Sequence, residues 1–266
     1  MRSALRNSFL ILLALFVSSC FWSREPEENT PERWQPYPGL VWHIQLQGEL
    51  VKYDDASVYD IDLFNTDDSM IKLLHSEGKR VICYFSAGTV EDWRVDAAAF
   101  PAELTGNTLS GWEGQRWLDV RHVEELAPLM EARLDLAAKK GCDAVDADRV
   151  DGYRADTGFE ISYDDQLRYN LFLAEAAHKR GLAVGLRNDF AQVADLADIF
   201  DFAVSEQCFE TNECDLLYPF IQRSKPVFGV EYAFPAEVFC GAANNVNYDF
   251  ILSDKELDGT FRIPCR

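Results

Sequence analysis

Histidine, methionine and positive charge are all in short supply. The 266 residues include four His, three Met and only 25 Lys plus Arg against 45 Asp plus Glu, a net charge of −20. A surface this acidic repels phosphate backbones, which excludes nucleic acid as a partner and favours a cationic one. The His are scattered and no C-x-x-C occurs, so no spacing reads as a zinc site. No G-x-G-x-x-G follows the first strand-like run, which removes the dinucleotide-binding reading. No cofactor is expected. Beyond residue 17 no apolar run is long enough to span a bilayer. Disorder is excluded by a hydrophobic content of 48%. The length suits one α/β domain.

The N-terminus reads as a targeting segment. Arg2 and Arg6 precede an apolar run, Phe9 to Val17, that is too short to cross a membrane. It ends in Val17-Ser18-Ser19-Cys20, which resembles a bacterial lipoprotein signal with Cys20 as the lipidated residue. The expected organisation is a signal peptide over 1–19, a Pro- and Glu-rich tether over 20–38, and one domain over 39–266. The protein would be exported and held at the bacterial envelope by its lipid alone. Loss of residues 1–19 removes two Arg and no acid, which leaves a net charge of −22. Export permits disulfides among the six remaining cysteines. Cys208 and Cys214 flank a short loop and form a candidate pair. Cys240 and Cys265 form a second. Cys83 and Cys142 lie in apolar runs and read as buried thiols.

Eight short apolar runs alternate with helical patterns. They are Val41–Gln47, Val58–Leu63, Val81–Ser86, Ala144–Asp148, Ala183–Asn188, Phe202–Glu206, Val227–Glu231 and Phe250–Ser253. Centres that are apolar throughout suit parallel strands covered by helices. The helical patterns Asp67–Ser76, His122–Lys140 and Asp164–Arg180 each run into a Gly, a well-signalled C-terminus. Repeated β–α units of this number predict a (β/α)8 TIM-like barrel.

In such barrels the chemistry sits at the C-terminal ends of the strands. Here those ends are polar: Asp60 and Asp62, Tyr84 and Ser86, Asp146 and Asp148, Asn188 and Asp189, Glu206, Glu231, Asp254. The opposite ends are mostly apolar. Several acids around one mouth suit either a metal or a carboxylate pair for glycosidic cleavage. The metal reading uses Asp146, Asp148 and Asp151, whose D-x-D-x-x-D-G spacing does not match a calcium loop. The long segment from Ala87 to Val120 carries Trp93, Phe100, Trp112 and Trp117. Trp93 is the candidate to stack on a sugar, whereas Trp42 reads as core.

Longer motifs carry a resemblance. They are Val58-Tyr59-Asp60-Ile61-Asp62-Leu63-Phe64, Val81 to Gly88 with Glu91-Asp92-Trp93-Arg94, Trp117-Leu118-Asp119-Val120, Ala183 to Asp189, Phe202 to Phe209 and Asn212-Glu213-Cys214. In this order they resemble the endo-α-1,4-polygalactosaminidase family, glycoside hydrolase family 114, from about Val41 to Ser253. The resemblance implies a TIM-like barrel that cleaves α-1,4-linked galactosamine polymers within the chain. It implies Asp148 and Glu206 as the catalytic carboxylates, Asp148 as nucleophile and Glu206 as acid/base. Asp62, Tyr84, Ser86, Trp93, Asp146, Asn188, Asp189 and Glu231 would bind the sugar or tune the pair. Two departures stand out. The family usually reads Glu-Pro-Asp-Asn-Val-Asp-Gly where this chain reads Asp146-Ala147-Asp148-Arg149-Val150-Asp151-Gly152. Its usual Lys before Asn188 is Arg187. These departures keep open a glycan-binding lipoprotein without activity, or a glycosidase for another α-linked sugar.

Overall fold

The computed structural model describes residues 31–266. Residues 1–30, with Cys20, the signal peptide and the start of the tether, lie outside the described residues. All eight expected strands form: β1 (Trp42–Gln45), β2 (Val58–Asp62), β3 (Arg80–Ser86), then, beyond a small sheet, β7 (Ala144–Asp148), β8 (Ala183–Arg187), β9 (Phe202–Glu206), β10 (Val227–Glu231) and β11 (Asp249–Ser253). They pair in parallel in that order, as a TIM-like barrel requires. The seam between β11 and β1 is bridged rather than laddered. An antiparallel strand β12 (Arg262–Pro264) pairs with β11. Its Arg262 Nε donates to the Trp42 carbonyl at 3.0 Å.

The helices are α1 (Asp68–Ser76), α2 (Val123–Lys140), α3 (Tyr163–Lys179), α4 (Val193–Leu196), α5 (Cys208–Thr211), α6 (Tyr218–Gln222) and α7 (Ala236–Asn245). They lie behind β2, β3, β7, β8, β9 and β10. Between β1 and β2 runs a loop with no helix, so the first unit departs from the expected repeat. Among the described residues no helix is long and apolar enough to cross a membrane.

Alternation along the strands sorts the core. Trp42, Ile44, Val58, Ile82, Ala144, Ala183, Phe202, Val204, Phe228, Val230 and Ile251 fill the barrel interior. Residues two further along these strands therefore point inward at the mouth. Trp34 caps this interior cluster, its ring 6.5 Å from that of Phe202, and Arg33 pairs with Asp201 at 3.0 Å. The end of the expected tether is thus docked on the barrel, because an indole next to an open apolar barrel end gains by burial.

Between β3 and α2 the chain builds a three-stranded sheet from β4 (Thr89–Glu91), β5 (Thr105–Thr108) and β6 (Gln115–Leu118). Arg94 and Arg133 lie over the Phe64 ring, at 4.8 and 5.2 Å, and fasten this insertion to the mouth. Cys208–Cys214 and Cys240–Cys265 are disulfides. Cys83 and Cys142 are bonded too, with Cα atoms 6.0 Å apart, which corrects the reading of two buried thiols. Their apolar surroundings suit either state, and 59 residues of separation hide the closeness that pairing of β3 with β7 creates. A loop of that size is stabilised by roughly 4 kcal/mol in the chain-entropy account.

Candidate active site

The centre of the mouth is one guanidinium. Arg187 ends β8, is 2% exposed, and meets three carboxylates. Its Nη1 donates to Asp146 Oδ2, its Nη2 to Glu206 Oε1 at 2.7 Å, and its Nε lies 3.4 Å from Asp148 Oδ1. Its plane also covers the Tyr84 ring, 5.2 Å from the centroid. The planar fork can serve several acids at once, which a point charge cannot.

Asp148 ends β7. It accepts from Tyr84 Oη at 2.9 Å and from the Arg149 amide at 2.7 Å, with Arg149 Nε at 3.4 Å. Burial raises the affinity of its carboxyl for a proton, but Arg149, Arg187 and the two donors outweigh it. The net result is a carboxyl held below its usual range and ionised. Asp146, two residues earlier, is pushed up to about 6 by burial despite Arg187. Glu206 ends β9 and is the more open of this candidate pair, its side chain 21% exposed against 5% for Asp148. Tyr232 Oη donates to Glu206 Oε1 at 2.8 Å. Asn188 Nδ2 donates to Oε2 at 3.3 Å, while Asn188 Oδ1 accepts from the Glu206 amide at 2.8 Å.

The residues just beyond these three strands share an uncommon backbone. Arg149, Asn188 and Gln207 have φ of 63°, 56° and 61°. Only Asn adopts this region readily, and each such residue costs on the order of 1 kcal/mol. The turn swings the chain away at once and leaves the last side chain of each strand facing the mouth.

Of the other expected residues, Asp62 and Trp93 line a cavity of about 350 Å³ together with Tyr84, Trp112 and Lys255. Trp93 and Trp112 are half-exposed there. Asp62 is bonded twice by Arg94, at 3.0 and 2.6 Å, and Arg94 also holds Glu91, so its charge is already matched. Ser86 is buried against Thr89. Asp189 accepts from Tyr153 Oη and Asn170 Nδ2, both at 3.0 Å, and burial pushes it up to about 7. Glu231 is not brought to the pair. It accepts the Phe209 amide at 2.9 Å at the start of α5, and burial pushes it up to about 7. It lies by the Cys208–Cys214 sulfurs, whose bond to each other spends them as metal ligands. Tyr232 and the bridging role of Arg187 were missed by sequence reasoning. The alternation Phe228, Val230, Tyr232 was the available signal for the first.

The family model for glycoside hydrolase family GH114 matches residues 23–266. The chain belongs to family GH114. Its fold superposes on Aspergillus fumigatus Ega3, solved in complex with galactosamine, with 37% identity and a TM-score of 0.83 over 89% of this chain and 99% of that one. The glycoside hydrolase domain of PelA from Pseudomonas aeruginosa shares the fold, with 14% identity and a TM-score of 0.65 over 85% and 98%. No curated protein sequence matches the chain. This GH114 protein is a glycoside hydrolase, an enzyme for O-glycosidic bonds.

The GH114 site depends on one close approach. The Ala87 and Gly88 amides donate to the Asp148 carbonyl at 2.8 and 3.1 Å. A Cβ on Gly88 would fall 1.7 Å from the Arg149 carbonyl oxygen, so the turn beside Asp148 would have to move. Displacing a reacting group by an ångström costs about a hundredfold in rate. Gly88→Ala is therefore expected to lower kcat/KM by about that factor while thermal unfolding shows a folded protein. A variant with wild-type kcat/KM would refute the coupling.

Proposed function

We propose that this protein cleaves α-1,4-linked, galactosamine-containing polysaccharide within the chain, with Asp148 as nucleophile and Glu206 as acid/base. The observation that carries this reading is the division of environments across Arg187. Asp148 is buried, charged and held by donors, as an attacking carboxylate must be. Glu206 is more open, so that a leaving sugar and then a water can reach it. Asp148 would attack the anomeric carbon while Glu206 gives its proton to the departing glycosidic oxygen. Glu206 would then take a proton from water, which displaces the Asp148 carboxylate and releases the sugar.

The shape of the mouth supports internal cleavage. The cavity beneath Trp93 and Trp112 shares Leu46, Gln47, Asp62 and Asn65 with a neighbouring one of about 280 Å³, which makes a groove past the chain ends of β1 and β2. Sugar faces stack on exposed indoles, and the acidic surface favours an amino sugar. Galactosamine bound to Ega3 supports the same class of substrate. Export and anchoring through Cys20 are part of this proposal, resting on the Val17-Ser18-Ser19-Cys20 pattern. Fractionation of an expressing bacterium should find the full chain with membranes and Cys20→Ala largely released. Equal membrane retention would remove the anchor.

The mechanism is tested with defined oligogalactosamines. Asp148→Asn and Glu206→Gln keep shape and each should lower product release by about a thousandfold, with unfolding temperature close to wild type. For a substrate with a good leaving group, azide should partly rescue Glu206→Ala with retained configuration, and should not rescue Asp148→Ala with retained configuration. Undiminished turnover in either isosteric variant would withdraw that residue from the chemistry.

A further inference from the structure

Beneath the reacting pair lies a carboxyl that the mechanism does not use. Asp60 is fully buried on β2, pointing inward above the apolar floor of Val58 and Ile82. Neither of its oxygens meets a hydrogen-bond donor, and Asp146 Oδ1 has none either. Asp146 is the acid whose charge bears most on Asp60. A carboxylate sealed from water with no donor and no cation is too costly to stay ionised, so Asp60 holds a proton, and Asp146 Oδ1 is the partnerless buried acceptor that can receive it. Arg187 decides where it sits. Its Nη1 is on Asp146 Oδ2, which keeps Asp146 the anion, while no cation bonds Asp60. The charged groups facing Asp60 are Asp146 from β7, Arg187 from β8 and Glu206 from β9.

We propose that Asp60 is a positioning residue that carries a proton through the working range of the enzyme and donates it to Asp146. A neutral Asp60 satisfies Asp146 Oδ1 without adding a second negative charge below Arg187. The guanidinium is then free to divide its fork between Asp146 and Glu206. An ionised Asp60 would draw it down into the barrel and away from the acid/base. Burial, then the charge of Asp146, hold Asp60 well above the usual carboxyl range, and Arg187 opposes them only in part.

The kinetic consequence rests on Asp148 and Glu206 being the reacting pair, but the protonation state does not. Difference infrared spectra of the full domain at about pH 9 should therefore show the carbonyl stretch of a protonated carboxyl that Asp60→Asn abolishes. The neighbours raised to about 6 or 7, Asp146, Asp189, Glu231 and Asp249, are ionised by then. In turnover, Asp60→Asn keeps a neutral donor to Asp146 and should retain kcat within about threefold. Asp60→Leu orphans Asp146 Oδ1 and should lower kcat by about tenfold to a hundredfold with little change in KM. A spectrum without that band, or an Asn variant as impaired as the Leu variant, overturns the proposal. Were oligogalactosamines not cleaved by the wild type, the proposed substrate would fall and the infrared result would still decide the state of Asp60.

Discussion

Everything at the mouth of this barrel is arranged around a single buried positive charge. Arg187 is almost sealed from solvent, and three acids from strands on either side converge on it. Such a cluster is not there to stabilise the fold, because the desolvation of buried ions offsets much of their attraction. What it supplies is position. Each carboxyl is pinned at a set distance from a rigid plane, and in the proposed mechanism the reacting atoms are thereby ordered before a sugar enters.

The surrounding structure serves that geometry. β7, β8 and β9 deliver Asp148, Arg187 and Glu206 at one level of the barrel, and the left-handed turns at Arg149, Asn188 and Gln207 clear the chain from in front of them. Tyr84 and Tyr232 each donate a hydroxyl to one of the pair. Farther out, Arg94 binds Asp62 and Glu91, which ties the Trp93 segment to β2 and shapes one wall of the groove. Glu231 and the Cys208–Cys214 disulfide fix the backbone directly after Glu206.

Much of this was legible in the sequence because it follows from local pattern. Apolar runs of strand length, alternating with helical patterns stopped by Gly, marked the barrel, and acids clustered at one end of those runs marked the mouth. What was hidden depends on distance in space. Nothing in the chain says that Arg94 reaches Asp62, or that Cys83 meets Cys142 across two paired strands. The place of Glu231 was hidden less deeply. Phe228 and Val230 fill the interior, so the next inward position is Tyr232, and Glu231 must face the other way. The docking of Trp34 escaped notice because its Pro- and Glu-rich surroundings read as solvated chain.

The two departures from the usual family pattern become one in the structure. A shorter acid, Asp146, meets a longer and forked base, Arg187, where the resemblance leads one to expect Glu and Lys. The pair spans the same gap from opposite ends, and the fork gains a second arm for Glu206. If Arg187 organises the site through this match of lengths, positions 146 and 187 must be strongly coupled. The direct test is a double-mutant cycle on kcat/KM with Asp146→Glu, Arg187→Lys and both together. The account predicts that each single change lowers kcat/KM by about tenfold or more, since a buried charged pair is disturbed, and that the double variant regains most of the loss. Effects that simply add in the double variant would contradict it.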